Sequence, residues 1–401
     1  MLTSYWQHFK SGTDIRGVAL DGVEDQPLDL TDEVVEKLAA AFARWLSGKT
    51  GKPAAALTVS LGRDSRLSGP RLRDAVVRSL TARGVTVLDC GLASTPAMFM
   101  TTVDLGCDGA VQLTASHHPY HRNGLKFFLP SGGLEGADIT ALLELAQAED
   151  FPPPAAGTVR EIAYMTQYAA RLRRLICEGV QAKDYNRPLA GFRIVVDAGN
   201  GAGGFYARDV LEPLGADVSG SQFLEPDGRF PNHIPNPENP EAMASVCAAT
   251  LKAGADLGVI FDTDVDRAGC VGADGREINR NRLIALAAAI VLEDAPGGTI
   301  VTDSVTSSGL KTFLEQTLGG VHCRFKRGYK NVINEAQRLC ASGVNAPLAI
   351  ETSGHAALKD NYFLDDGAYL VTRIIIKAAQ LRREGRTLED LIAALEEPAG
   401  S

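Results

Sequence analysis

The chain has 401 residues, 45% hydrophobic and 22% charged, which suits a soluble globular protein of two to four domains. A formal net charge of −9 excludes general affinity for nucleic acid or an anionic membrane surface, so any phosphate ligand must be met by local basic residues. Seven scattered cysteines with no C-x-x-C pair argue against a disulfide frame and a thiolate zinc site, and the absence of a long uncharged run or leader points to a cytoplasmic protein.

In chain order, an apolar strand is predicted over 56–61, followed by the loop Gly62-Arg63-Asp64-Ser65-Arg66, a helix over 70–82 and a strand over 85–89. The same order recurs twice. The second copy runs strand 192–197, a glycine-rich loop, helix 205–214 and a strand near Asp217. The third runs strand 299–303, a Ser/Thr loop, helix 310–318 and strand 321–325. Each copy continues to another apolar strand (108–113, 257–261 and 347–350) that runs straight into a polar loop. Helices over 367–380 and 388–395 follow the third. The pattern predicts an α/β protein of three similar domains with mainly parallel, mixed sheets around a shared cleft, because ligands bind beyond the carboxyl ends of such strands.

The three polar loops hold the chemistry. Asp262, Asp264 and Asp266 alternate directly after a strand, and three converging carboxylates call for a hard cation such as Mg²⁺. A calcium loop starting at Asp262 fails, because Arg267 and Ala273 stand where Gly and Glu are needed. A phosphatase of the haloacid dehalogenase type is a minor alternative, since Asp266 stands where Thr or Val is expected. Ser116 lies among His117, His118 and His121 with Lys126 beyond, and no G-x-S-x-G elbow surrounds it. Glu351, Thr352, Ser353 and His355 offer a carboxylate, two hydroxyls and an imidazole to a polyhydroxylated sugar. Local basic groups come from Arg16, Arg63, Arg66 and the run Lys326-Arg327-Gly328-Tyr329-Lys330. Residues 199–204 match G-x-G-x-x-G; a tight structural turn is preferred over a dinucleotide site, because the other copies share the geometry without the glycines.

Taken in order, Asp14-Ile15-Arg16-Gly17, Gly62-Arg63-Asp64-Ser65-Arg66, Thr114-Ala115-Ser116-His117-His118-Pro119 with Asn123-Gly124-Leu125-Lys126, the 262–267 loop, Arg327-Gly328-Tyr329-Lys330 and Glu351-Thr352-Ser353-Gly354-His355 resemble the phosphoglucomutase/phosphomannomutase family of α-D-phosphohexomutases over nearly the whole chain. The resemblance implies domain I over 1–155 with the phosphoserine loop, domain II over 156–279 with the metal loop, and domain III over 280–401 with the sugar loop. It implies an isomerase that interconverts hexose 1-phosphate and hexose 6-phosphate, of glucose or mannose, through a phosphorylated Ser116 and a hexose 1,6-bisphosphate, which also serves as activator. Catalytic roles would fall to Ser116, Lys126, His117, Arg267 and Arg16. Substrate would be held by Glu351, Ser353, His355, Gly328, Tyr329, Lys330 and Arg63. One Mg²⁺ per chain would be bound by Ser116 (as its phosphate), Asp262, Asp264 and Asp266. The partners implied are small hexose phosphates, without nucleic acid or membrane, for a monomer or dimer.

Thr263 and Val265 stand where many relatives have Gly or Pro, and His118 where Asn is frequent; neither change touches the implied ligands. The family's usual fourth domain is not recognised before Ser401, which predicts weakened capture of the substrate's distal phosphate. The alternatives are a non-catalytic sugar-phosphate-binding paralogue or truncated inactive fragment, and a phosphoglucosamine mutase; the last is disfavoured by Thr352, where those enzymes tend to have Gln.

Overall fold

The strand Thr58–Arg63 carries four consecutive buried residues, so it must be covered on both faces and lie inside a sheet. It pairs in parallel with Thr86–Leu92 on one side and Gly109–Leu113 on the other. Thr86–Leu92 continues in parallel to Thr158–Glu161. Gly109–Leu113 is followed by antiparallel partners, first Arg122–Leu129, then Asp14–Val18 and Lys10–Ser11. Two amphipathic helices, Asp32–Thr50 and Gly69–Thr81, bury Leu38, Phe42, Leu46, Leu72, Val76 and Leu80 in the core of this sheet. The first of them starts at Thr31, whose hydroxyl accepts from the Val34 amide, and ends at Gly51 in the left-handed region.

The computed structural model describes residues 1–396. They divide into two units: Met1–Tyr168 together with Pro226–Pro231, and Ala169–Glu225 together with the chain from Asn232 onward. The second unit contains two further sheets. In one, Ile194–Asp197 lies parallel to Leu257–Phe261, which pairs antiparallel with Ala268–Gly272 and, through it, Glu277–Ile278. In the other, Val321–Arg324, Thr299–Thr302 and Leu348–Ile350 are parallel, followed by antiparallel Ala356–Leu358 and Leu364–Asp365. The expected α/β class with three similar mixed-sheet bodies is therefore observed. Among the described residues no helix is long and apolar enough to cross a membrane.

The parallel share of each sheet is smaller than expected, for a reason rooted in loop length. Leu257–Phe261 and Ala268–Gly272 are separated only by residues 262–267, and Leu348–Ile350 and Ala356–Leu358 only by 351–355. Such short links can only return the chain antiparallel, whereas a parallel return needs a long crossover. The three chemically rich loops are thus hairpin loops. Four other expectations change. The helix expected over 205–214 is a π-helical turn, Tyr206–Leu211, followed by a 3₁₀ turn, Glu212–Leu214, containing Pro213, which cannot donate to a regular helix. The helix over 310–318 is Ser308–Thr312 continued by a π turn, Phe313–Thr317. Asp217 makes a lone bridge to Arg193 instead of a strand. The terminal helix is Leu388–Leu391, shorter than the expected 388–395.

Candidate active site

In the first unit, the loop after Gly109–Leu113 puts Ser116 in the left-handed region at φ 48° and buries it to 4% exposure. A non-glycine residue holds that conformation only when its surroundings enforce it. Arg66 enforces it. Its guanidinium, fully buried, donates to the carbonyls of Ser116, His118, Pro119 and Arg122 at 2.5, 2.6, 2.7 and 2.8 Å. It also pairs with Asp64 at 3.3 Å and lies over the Phe230 ring at 5.3 Å. Asp64 in turn accepts from the Thr114 hydroxyl at 2.7 Å, and that hydroxyl accepts from the Ser116 amide at 2.9 Å. Arg66, one of the two arginines of Gly62-Arg63-Asp64-Ser65-Arg66 that the sequence offered as local basic groups, is therefore a clamp on the serine loop.

The Ser116 hydroxyl lies 3.3 Å from Nδ1 of His117, an exposed side chain, while His121 turns inward to Gln26 at 2.8 Å. Burial, aided by Arg122 and Arg66, holds His121 below the usual histidine range. Lys126 is buried on Arg122–Leu129, in register with Gln112. Arg16 pairs with Asp14 at 3.0 Å opposite Gly124, where a Cβ would stand 2.2 Å from the Ile15 carbonyl oxygen. Arg63 lines a cavity of about 630 Å³ with Arg73, Asp89 and Glu161.

In the second unit, the chain curls after Phe261, with Val265 in the left-handed region at φ 69°. The curl, and not an extended strand, brings Asp262, Asp264 and Asp266 together: one oxygen from each lies within 4.8 Å of the others, and all three residues are buried. At an effective dielectric of ~20, each pair of charges at that distance repels by about 3 kcal/mol. Arg267, 2% exposed, offsets part of this through Asp262 at 3.2 Å. Burial disfavours its charge, but Asp262, Asp266 and Asp264 more than compensate and hold it above the ordinary arginine range. A buried, all-carboxylate donor set of this kind fits a hard divalent cation such as Mg²⁺.

Two more loops join this turn within the second unit. The Ala268 amide donates to the Gly354 carbonyl at 3.3 Å, and Gly354 must lack a side chain because a Cβ would stand 2.7 Å from the Ala268 oxygen. Glu351 accepts from the Gly328 amide at 2.5 Å and from the Ser353 hydroxyl at 3.4 Å, which ties the Arg327-Gly328-Tyr329-Lys330 segment to it. Burial pushes the Glu351 carboxyl up. His355 stacks on Tyr329, with ring centroids 5.0 Å apart, and its Nδ1 lies 2.5 Å from Asp365 and 4.0 Å from Asp266. Burial works against its charge, yet Asp365 and Asp266 outweigh that and raise its pKa. Tyr329 and Lys330 begin the helix Tyr329–Ala341.

Not every group in these loops faces a ligand. Thr352 gives its hydroxyl to buried Asp303 at 2.7 Å, a shorter and firmer bond than the 3.4 Å one from Ser353 to Glu351, so of the two hydroxyls offered to a sugar that of Ser353 is the less committed. Asp64 and Asp303 thus do the same thing, each following a first strand and gripping a threonine of the neighbouring hairpin loop. Asp197 is their counterpart in the middle copy and binds His233 at 2.9 Å instead. Sequence reasoning assigned no role to these aspartates, although their equal placement in three repeats was a usable signal. It also missed Glu238, 3.7 Å from both Arg267 and Arg327, and Asp365; neither lies in a recognisable motif. The 199–204 glycines serve the protein's own packing. A Cβ on Gly201 would stand 2.6 Å from the Thr263 carbonyl oxygen, and one on Gly204 2.2 Å from that of Leu224.

Residues 9–152, 168–275 and 279–398 match, in turn, alpha/beta/alpha domains I, II and III of phosphoglucomutase/phosphomannomutase. A phosphomannomutase/phosphoglucomutase of Pseudomonas putida is 33% identical over 370 residues, 91% of this chain and 75% of that protein. A phosphoglucomutase of Neisseria gonorrhoeae is 32% identical over 342 residues, 85% of this chain and 71% of that protein. Among solved structures, a phosphoglucomutase/phosphomannomutase family protein of Burkholderia thailandensis superimposes with a TM-score of 0.82 at 29% identity, covering 100% of this chain and 81% of its own.

Proposed function

Given that the chain belongs to the phosphoglucomutase/phosphomannomutase family, a family of mutases, we propose that it interconverts hexose 1-phosphate and hexose 6-phosphate, of glucose or mannose, through a phosphorylated Ser116 and a hexose 1,6-bisphosphate. The observation that carries this reading is the buried turn of Asp262, Asp264 and Asp266 with Arg267 folded over it. The domains proposed are 1–155, 156–279 and 280–401, with the strand Thr158–Glu161 pairing into the sheet of the first.

In the forward step, the bond from phosphorus to Ser116 Oγ breaks as a bond to a sugar hydroxyl oxygen forms, and the hydroxyl proton passes to Lys126 or His117. In the second step, the bond from the other phosphorus to its sugar oxygen breaks as a bond from it to Ser116 Oγ forms, and the held proton passes to the freed sugar oxygen. Phosphoryl transfer depends chiefly on alignment and on cations placed where charge spreads, a task assigned to Arg267, Lys126 and Arg16. Asp262, Asp264, Asp266 and the seryl phosphate are the proposed ligands of one Mg²⁺, which when bound neutralises the phosphoryl oxygens. Glu351 and Ser353 take sugar hydroxyls, and His355, Gly328, Tyr329, Lys330 and Arg63 complete the substrate contacts. Hexose 1,6-bisphosphate is the proposed activator, because it phosphorylates Ser116 directly.

The test is intact-mass analysis after incubation with glucose 1,6-bisphosphate and Mg²⁺, with a coupled assay on glucose 1-phosphate and mannose 1-phosphate. A single added phosphate, lost in Ser116→Ala, and turnover abolished by EDTA and restored by Mg²⁺ are expected. A chain that takes up no phosphate and turns over neither sugar would refute the proposal.

A further inference from the structure

His355 is one of three side chains, with Asp266 and Asp365, whose ligand atoms converge within 4.8 Å. The His355–Asp365 separation of 2.5 Å is that of a hydrogen bond, while Asp266 stands 4.0 Å from the same nitrogen, so the group reads as a hydrogen-bonded pair beside a third carboxylate and not as a second cation cage. Asp365 ends the edge strand Leu364–Asp365, paired with Ala356–Leu358, so its carboxylate is carried by the sheet and not by a mobile tip. Its two oxygens have separate tasks. Oδ1 accepts from the Ala356 amide at 3.0 Å, which fixes the plane of the carboxylate, and Oδ2 faces His355 Nδ1. Tyr329 stacks on the imidazole at an interplanar angle of 25° and restricts rotation of the ring.

We propose that Asp365 is a positioning residue for substrate binding, acting through His355; this rests on the reading of His355 as a substrate contact. An ionised carboxylate only accepts, so Asp365 requires a proton on Nδ1 in either charge state, and whenever the imidazole is neutral Nε2 is the nitrogen with the lone pair. The same arrangement, a carboxylate behind a histidine, fixes tautomer and ring orientation wherever imidazole must meet a ligand in one pose. Asp365→Asn reverses it. If the new amide keeps its oxygen on the Ala356 amide, its NH₂ faces His355 Nδ1, which must then accept, and the proton moves to Nε2.

The experiment compares Asp365→Asn, His355→Ala and the double variant in the full chain, by steady-state kinetics on glucose 1-phosphate and by nitrogen NMR of the His355 ring. Asp365→Asn is expected to raise KM about tenfold with kcat within about twofold, the lower end of what loss of such a partner costs. In the His355→Ala background the same change is expected to alter KM by less than about twofold, and in the single variant the ring proton is expected on Nε2. Equal losses in both backgrounds, or an unchanged Nδ1 proton, would overturn the proposal. Wild-type KM in His355→Ala would also overturn it, by removing the group it acts through. The NMR reading does not depend on turnover, so a catalytically silent chain with the expected tautomer shift leaves Asp365's action on the ring supported and counts only against the mutase reading.

Discussion

Replacing Arg66 by Met tests the idea that one buried guanidinium holds the Ser116 loop. Methionine keeps much of the volume but removes every donor, so the Asp64 carboxylate and the carbonyls of Ser116, His118, Pro119 and Arg122 lose their charged partner in a buried setting. Breaking a buried ion pair by removing one partner costs about 3–5 kcal/mol. Carbonyls left without a donor add about 1 kcal/mol or more each where water cannot replace it. The ion-pair contribution alone, about 5 kcal/mol at its upper end, is comparable with the whole stability of a typical domain. At roughly 2–4 °C per kcal/mol for a unit of this size, the first unit should melt roughly 10–20 °C lower in calorimetry. Arg66→Lys keeps the charge but offers only three donors for five acceptors, and should fall between the two. A Met variant melting within about 4 °C of the parent, or a Lys variant indistinguishable from it, would refute the account of Arg66 as the clamp.

Two further outcomes follow from the second unit. In Gly201→Ala the added methyl meets Thr263 main chain at 2.6–3.0 Å, between Asp262 and Asp264, and neither backbone can yield easily. Titration calorimetry with Mg²⁺ should show weaker binding, with a stability loss of about 1–3 kcal/mol; unchanged Mg²⁺ affinity would contradict the packing role given to this glycine. His233 is raised above its ordinary 6.5 because Asp197, by hydrogen bond and charge, outweighs the burial that opposes ionisation. A raised folded pKa means that the stabilisation is complete below about pH 6.5 and is lost as pH rises through the folded value. Urea unfolding should therefore show stability falling with rising pH across this window, and His233→Gln should flatten the slope. An identical slope in the variant would dismiss the pair as its source.

Much of the candidate site was legible because its residues lie close together in the chain. Asp262, Asp264 and Asp266 are three alternating residues after an apolar strand, and a tight turn alone suffices to make them converge; Ser116 and Glu351 were marked by lying at the same place in other copies of the repeat. The three-body α/β class was legible too, since an alternating order of strands and helices leaves few ways to bury both faces of each sheet.

What the sequence hid depends on partners distant in the chain. Arg66 reads as one more surface cation until 50 residues of chain fold back and deliver the Ser116 carbonyl to it. The 199–204 glycines imitate a nucleotide loop, and only the approach of Thr263 and Leu224 shows that their missing side chains are filled by the protein itself. Asp365 and Glu238 sit in no motif, and their meaning comes from the cations and imidazole that the sheets bring beside them. Residue types and spacing determined by themselves which groups are available for phosphoryl chemistry. Tertiary structure alone decided which of them are spent holding loops in place, because a buried hydrogen bond is satisfied by proximity in space and leaves no periodic mark on the chain.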